Sequence, residues 1–301
     1  MNAGGKAVPG SFDLSFEFFP PKTPEMERRL WQAITSLAPL GPRFVSVTYG
    51  AGGTTRDRTH ATVARIRAET ALEPAAHLTC VGATTDEIDE VALRYRQAGI
   101  RHIVALRGDP PEGLGQRYLA YPGGYAYATD LVRGLKRVGD FEISVAAFPE
   151  THPEATSAEA DLDNLKRKID AGATRAITQY FFDADVFFRF RDRAQACGIA
   201  VPIVPGLLPI ANFAQAVNFS QRCGANVPAA LHQRFAGLED DPAGRHAAAV
   251  EVAAAMIVRL VAGGATALHI YTLNRAELTH DICAAAGILA AAPARARAIG
   301  A

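Results

Sequence analysis

The chain has 301 residues, 49% hydrophobic and 21% charged, enough for one large domain with a sizeable core. Lys plus Arg equals Asp plus Glu at 31 each, and this balance, with no basic stripe, argues against a nucleic-acid partner. Cys80, Cys197, Cys223 and Cys283 form no CxxC pair, against a zinc knuckle or a disulfide framework, and no apolar run approaches the roughly 20 residues of a membrane helix. A cytoplasmic protein, away from membranes, is the expectation.

The first apolar run, Leu14–Phe19, predicts a strand, and Thr23-Pro24-Glu25 then supplies an N-cap, a first-turn proline and an early acid for a helix. Strands follow at Phe44–Tyr49 and Ala76–Cys80, and Thr84-Thr85-Asp86-Glu87 resembles a capping box for the next helix. Further strands are predicted at His102–Arg107, Glu142–Phe148, Arg175–Phe182, Val201–Leu208 and Ala267–Leu273. All are near-continuous apolar runs, as parallel strands buried on both faces require. Helices are read at Ser157–Ala171, at Asn212–Arg222 and over the Ala-rich stretch His246–Val261, with an excursion around Pro228, Asp240, Asp241 and Pro242. Gly99, Gly172 and Gly198 mark helix ends. Repeated strand–helix units predict the α/β class as a single-domain (β/α)₈ TIM barrel over residues 1–301, with 1–12 and 290–301 as flexible tails. The competing open, doubly wound sheet lacks support, because no G-x-G-x-x-G turn is completed.

In such a barrel chemistry sits where strands end and βα loops begin. The unusual polar residues fall there: Glu17, Thr48 and Tyr49, His77 and Thr79, Arg107-Gly108-Asp109, Glu150 and His152, Gln179, and Tyr271, Asn274 and Arg275. That coincidence points to an enzyme. Glu17 lies among Phe12, Phe16, Phe18, Phe19, Pro20 and Pro21. An apolar setting is expected to raise its pKa and keep it protonated as a general acid; strand alternation offers the alternative of a carboxylate turned to solvent. Gly108 lets a ligand approach the backbone closely, while Arg107 and Asp109 alternatively form a loop salt bridge. His77 and His152, taken alone, read as partly buried, hydrogen-bonded histidines. No H-x-H or H-E-x-x-H is present, so no metal is expected. On the helix 157–171, Leu162, Leu165 and Ile169 form the inward stripe. Asp161, Asn164 and Lys168 repeat that spacing one residue earlier, with Arg167 adjacent. This polar stripe suits a ribose and a diphosphate, or is a solvated face with ion pairs.

Longer motifs run through the chain in order: SFEFFPPKT from Ser15, VSVTYGAGGTTRDRT from Val45, AHLTC from Ala76, RGDPP from Arg107, ISVAAFPETHPEA from Ile143, DLDNLKRKIDAGATRAITQYFFD from Asp161, PGLLPIANFAQAVNF from Pro205 and YTLNRAEL from Tyr271. From about Ser15 to about Gly287 the chain resembles the bacterial methylenetetrahydrofolate reductases. The resemblance implies a barrel flavoprotein oxidoreductase of one-carbon metabolism and methionine biosynthesis. It implies FAD as cofactor and NADH or NADPH as co-substrate, reacting by ping-pong to reduce 5,10-methylenetetrahydrofolate to 5-methyltetrahydrofolate. It implies Glu17 as the general acid and Asp109 as a carboxylate near flavin and pterin. It implies folate contacts at Asp109, Gln179, Gln215, Phe219 and Arg275. It implies FAD contacts at Tyr49, Ala51, His77, Arg107, Gly108, Asp109, Tyr127, Ala128, His152, Ala155, Asp161, Asn164, Arg167 and Lys168, and a nicotinamide contact at Thr48. Phe148 departs from the family, where related enzymes carry Tyr, and the loop Glu112–Gly124 is longer than in close relatives. The alternatives are a pterin-binding barrel that transfers methyl groups without flavin, disfavoured by the absence of paired cysteines, and a non-catalytic barrel that binds folate or a protein. A homo-oligomer is compatible with the sequence.

Overall fold

The computed structural model describes residues 12–49, 56–110 and 118–288. The two tails (apart from Phe12, which packs against the core), Ala51 and the first part of the 112–124 loop lie outside the described residues. Eight parallel strands close into a barrel in chain order. They are β1 (Asp13–Phe18), β2 (Phe44–Val47), β3 (Pro74–Thr79), β4 (His102–Leu106), β5 (Glu142–Ala147), β6 (Arg175–Tyr180), β7 (Ile203–Leu207) and β8 (Ala267–Tyr271). Around them lie α1 (Pro24–Leu37), α2 (Arg56–Glu69), α3 (Thr85–Gln97), α4 (Ala128–Val138) and α5 (Ala158–Asp170). The ring continues with α6 (Ala184–Ala196), α7 (Phe213–Cys223), α8 (Ala229–Phe235), α9 (Pro242–Ala262) and α10 (Ala276–Ala285). The (β/α)₈ barrel expected from the sequence is therefore the fold.

Local signals explain the helix starts. The Thr23 hydroxyl accepts from Met26 N ahead of Pro24, Thr84 and Glu87 form the reciprocal capping box, and Ser157 caps α5. The excursion after α7 resolves into α8 and the start of α9, where Asp241 caps and Pro242 opens the helix. Most strands stop one or two residues short of their apolar runs. Phe181, for example, leaves the ladder yet stays 2% exposed, because a βα loop can still be buried at its root.

Strand alternation separates two cores. Leu14, Phe16 and Phe18 point outward and pack with Leu30, Ile34 and Leu37 of α1 in the barrel–helix layer. Each such buried side chain contributes roughly 1.5–3 kcal/mol. The barrel interior holds only a small apolar floor of Phe44, Ala75, Val104 and Ile177. Beside it are buried polar side chains: Ser15, Ser46, His77, His102, Ser144 and His269. Barrel interiors are usually filled by branched aliphatics, so a polar interior marks this one for chemistry. Gly206 of β7 makes room within it. A Cβ there would lie 2.2 Å from the Thr178 carbonyl oxygen and 2.8 Å from the Tyr271 ring. The glycine lets Tyr271 lie across from β8 and donate its hydroxyl to that carbonyl at 2.6 Å.

Candidate active site

Glu17 enters the barrel from β1, opposite Ser46 of β2 and Tyr271 of β8 in register. Its Oε2 lies 3.3 Å from His77 Nε2 and 3.6 Å from His269 Nε2, and the side chain is only 13% exposed. The apolar setting expected for Glu17 is not what it meets. Phe16 and Phe18 face the helices, and two imidazoles face the carboxylate. Burial alone pushes its pKa up, but the His269 and His77 imidazoles beside the carboxylate more than offset this and hold it down at about 2. The carboxyl is thus ionised at neutral pH in the ligand-free protein, not protonated.

Several buried polar atoms near this carboxylate lack partners. His77 Nε2 approaches Glu17 out of line for a hydrogen bond, and Thr79 Oγ1 and Ser46 Oγ make none. His77 and Thr79 alternate on the C-terminal half of β3, so both point inward. Orphaned donors and acceptors at strand ends are costly unless a ligand completes them.

The end of β4 contributes the second part. Arg107 forms a two-pronged salt bridge with Glu154, at 2.5 and 3.0 Å, and its guanidinium lies 4.5 Å over the Tyr118 ring. The loop salt bridge foreseen for this segment therefore forms, but with Glu154 in place of Asp109. Gly108 has φ +86°, and a Cβ there would meet Val81 at 2.9 Å and Thr79 at 3.0 Å. Glycine is required there by the left-handed backbone and by the packing on β3. Asp109 is half-buried. Cys223, at the end of α7, is pushed up to about 11 by burial, which a hydrogen bond with Tyr180 partly offsets, and then by the Asp109 charge.

The α5 stripe is no solvated face. Lys168 is 5% exposed, its Nζ donates to Ala146 O at 2.6 Å, and burial draws its pKa down to about 8. Asp161 accepts from His152 N at 2.8 Å and so holds the loop after β5, where Ala155 N donates back to His152 O. His152 meets the edge of the Phe148 ring at 4.6 Å. Asn164 is half-buried and Arg167 exposed.

The remaining expected residues line the same end of the barrel. Gln179, half-buried near the end of β6, accepts from Tyr180 N through its own Oε1. Gln215 is exposed on the first turn of α7, Arg275 is exposed at the head of α10, and Ala128 is buried at the start of α4. Thr48 accepts from the Thr59 hydroxyl through its carbonyl, and Tyr49 is half-buried beside it. Phe219 is 44% exposed and stacks on Tyr180 at 6.1 Å; Tyr127 is 56% exposed at the N-terminus of α4. With Phe19, Leu119, Tyr121 and Leu273, these make six of the eight large exposed hydrophobic side chains among the described residues. Five of the six lie in the loops that follow strand C-termini and Phe219 lies in α7, and an apolar rim of this kind marks a binding mouth. Among the described residues no three His, Cys, Asp or Glu side chains gather to hold a metal ion. No helix there is long and apolar enough to cross a membrane.

Sequence reasoning missed His269 and Ser15. The signal was available: His269 and Tyr271 alternate on one face of β8, and closing the barrel sets β8 beside β1.

A closed (β/α)₈ barrel with an acid–histidine cluster inside and an apolar rim around its C-terminal mouth defines a TIM-barrel enzyme. The methylenetetrahydrofolate reductase family model matches residues 5–287, and the chain belongs to that family. It is 51% identical over 288 residues to the 5,10-methylenetetrahydrofolate reductase of Escherichia coli strain K12, covering 96% of this chain and 95% of that one. The enzyme of the same name from Buchnera aphidicola subsp. Acyrthosiphon pisum is 41% identical, with 96% of each chain covered. Among solved structures, an uncharacterized protein from Clostridium thermocellum that binds two copies of 5-methyl-5,6,7,8-tetrahydrofolic acid superposes with a TM-score of 0.60. That match covers 92% of this chain and 95% of that one, and at 14% identity it shows the shared fold alone.

Proposed function

We propose that the chain reduces 5,10-methylenetetrahydrofolate to 5-methyltetrahydrofolate in the cytoplasm, as one single-domain enzyme, with FAD at the barrel mouth and NADH or NADPH as reductant. The observation that carries this reading is the Glu17 carboxylate, ringed by imidazoles and unpartnered polar atoms at the strand ends of a chain in this family. When bound, FAD accepts electrons from the nicotinamide and passes them to the folate, so the two substrates alternate at one site.

The residues present suit that cofactor. Lys168 is a buried ammonium that a diphosphate would neutralise, and Asp161 already fixes the loop carrying His152 and Ala155. Tyr49, Ala51, His77, Arg107, Gly108, Asp109, Tyr127, Ala128, Asn164 and Arg167 complete the proposed cofactor positions, with Thr48 toward the nicotinamide. Gln179, Gln215 and Arg275 orient the folate by hydrogen bonds, and Phe219 offers its exposed ring to a planar substrate. The folate ring must open to a cationic iminium before it can be reduced. Asp109 stabilises that cation by its negative charge. Glu17 delivers a proton to the departing ring nitrogen. A product of this kind serves one-carbon metabolism and methionine biosynthesis.

The test is direct. Purified protein should show flavin absorbance, or gain it on adding FAD, and should convert methylenetetrahydrofolate to the 5-methyl product with NADH or NADPH. Protein that cannot be loaded with FAD and forms no 5-methyl product contradicts the proposal.

A further inference from the structure

The end of the barrel away from the mouth carries a second polar cavity. The strands are parallel, so their N-termini share one end, and the helices that return to them finish there too. At that end a cavity of about 860 Å³ is lined by five cationic side chains, Arg43, Arg96, Arg101, Lys136 and Arg175, against two acids, Asp140 and Glu142. The chain as a whole carries no formal net charge, so this excess is local. Its volume is that of small-molecule sites, on the order of 300–1,000 Å³.

Arg43 and Arg101 directly precede β2 and β4, and Arg175 opens β6. Because all strands start at one end, residues far apart in sequence meet at a common rim. Basic residues in the last turn of a helix offset its dipole, and this alone accounts for Arg96 of α3 and Lys136 of α4. It does not account for the three arginines at strand starts.

Two of the cations are packed against glycine backbone. A Cβ on Gly139 would lie 3.1 Å from Arg96 Cδ, and Arg96 Nη1 donates to Val138 O at 3.1 Å. Gly172 has φ +118°, and a Cβ there would lie 2.9 Å from Lys136 Cγ. Both stems are thus held before any anion arrives, which lowers the entropy lost on binding.

The acids at hand leave much of this charge unmatched. Asp13 takes Arg43 at 3.0 Å. Asp140 is fully exposed and stands 4.0 Å from Lys136 Nζ, a weak surface pair. Arg96 and Arg101 have no carboxylate partner among the described residues. Arg175 is 7% exposed, and its Nη1 lies 2.5 Å from Glu142 Oε1 but out of line for a hydrogen bond. A buried N–H without an acceptor is costly, and a ligand oxygen in the cavity would complete it. Phe141 also lines the cavity but is 2% exposed, so it offers no ring face to a planar group.

We propose that this cavity binds a small anion carrying two or more phosphate groups, recognised through its phosphates alone. Guanidinium groups suit it, since their paired N–H donors match phosphate oxygens. Five cations around one cavity are more than a single phosphate can use. The site shares no residue with the cofactor and folate positions proposed at the mouth, and it stands independently of the chemistry there.

The experiment uses full-length protein loaded with FAD and freed of excess, so that the probes do not enter the cofactor position. Calorimetry at low salt follows inorganic pyrophosphate, triphosphate and orthophosphate. Pyrophosphate and triphosphate should bind about 10-fold or more tightly than orthophosphate, the equivalent of a further charge-assisted contact. Added salt should weaken binding, because most of these side chains face solvent. Arg101→Ala removes an exposed guanidinium, so the fold should hold while pyrophosphate affinity falls about 10-fold. Lys136→Met keeps the stem on Gly172 and removes the charge, and affinity should fall again. Both variants should retain flavin at the parent level. The proposal is overturned if pyrophosphate and triphosphate fail to bind the parent protein, or if the two variants bind them as tightly as the parent does. ATP binding more tightly than triphosphate by about 10-fold, the scale of a stacked base, would overturn recognition through phosphates alone.

Discussion

Lys168 offers a test that separates stability from cofactor binding. The ammonium is buried in α5 with Ala146 O as its hydrogen-bond acceptor, and burial lowers its pKa from 10.5 to about 8. A drop of that size corresponds to a penalty of about 3 kcal/mol on the folded, protonated state. The unfolded chain holds its proton up to about 10.5, whereas the folded chain gives it up from about 8. Between those values the unfolded state binds more protons, so stability should rise with pH through that window. Below about pH 8 the full penalty is present. Lys168→Met keeps the stem and the helix propensity but removes the charge. It gains about 3 kcal/mol and loses a charged hydrogen bond of about 2 kcal/mol, so the flavin-free variant should be about 1 kcal/mol more stable at pH 7. Its stability should lack the alkaline rise. FAD affinity should fall by about 30-fold, the equivalent of one charge-assisted phosphate contact of about 2 kcal/mol. Urea unfolding at several pH values and flavin fluorescence titration measure the two effects. A variant that keeps the alkaline rise, or binds FAD as tightly as the parent, refutes the reasoning.

Asp109→Asn removes a negative charge from the mouth; the potential of the bound flavin, measured by dye equilibration, should rise, and folate reduction should slow, whereas an equal or lower potential contradicts the placement of Asp109 beside the flavin. Gly206→Ala forces a Cβ against the Thr178 carbonyl and the Tyr271 ring, so the urea midpoint should fall by the equivalent of about 1–3 kcal/mol; an unchanged midpoint would mean that Tyr271 does not span the barrel. Phe219→Ala trims an exposed ring, so stability should hold while KM for the folate rises about 3- to 10-fold, and an unchanged KM removes Phe219 from the substrate site.

The barrel was legible because its signals are local. Thr23, Thr84 and Ser157 cap helices where the sequence placed them, and apolar runs mark strands buried on both faces. Strand ends were less legible, since an apolar residue such as Phe181 reports burial and not membership of the ladder. The polar residues at strand C-termini do gather at one end, because parallel strands in a barrel all point the same way. The state of Glu17 could not be read locally. Its phenylalanine neighbours in sequence turn away, and its real neighbours come from β3 and β8, which only barrel closure brings near. Lys168 illustrates the same limit, since helical spacing defines a stripe but not which side chain finds a carbonyl of a neighbouring strand.

The central claim is that Glu17 is the acid of the folate half-reaction, and the Glu17→Gln enzyme tests it most directly. Stopped-flow absorbance at the flavin band follows each half-reaction alone. Hydride transfer from the nicotinamide needs no ring opening, so bleaching by NADH or NADPH should proceed near the parent rate. Reoxidation by methylenetetrahydrofolate should slow on the order of 10²-fold or more. Equal slowing of both halves would make Glu17 a structural or cofactor-holding residue, and reoxidation at the parent rate would contradict the account outright.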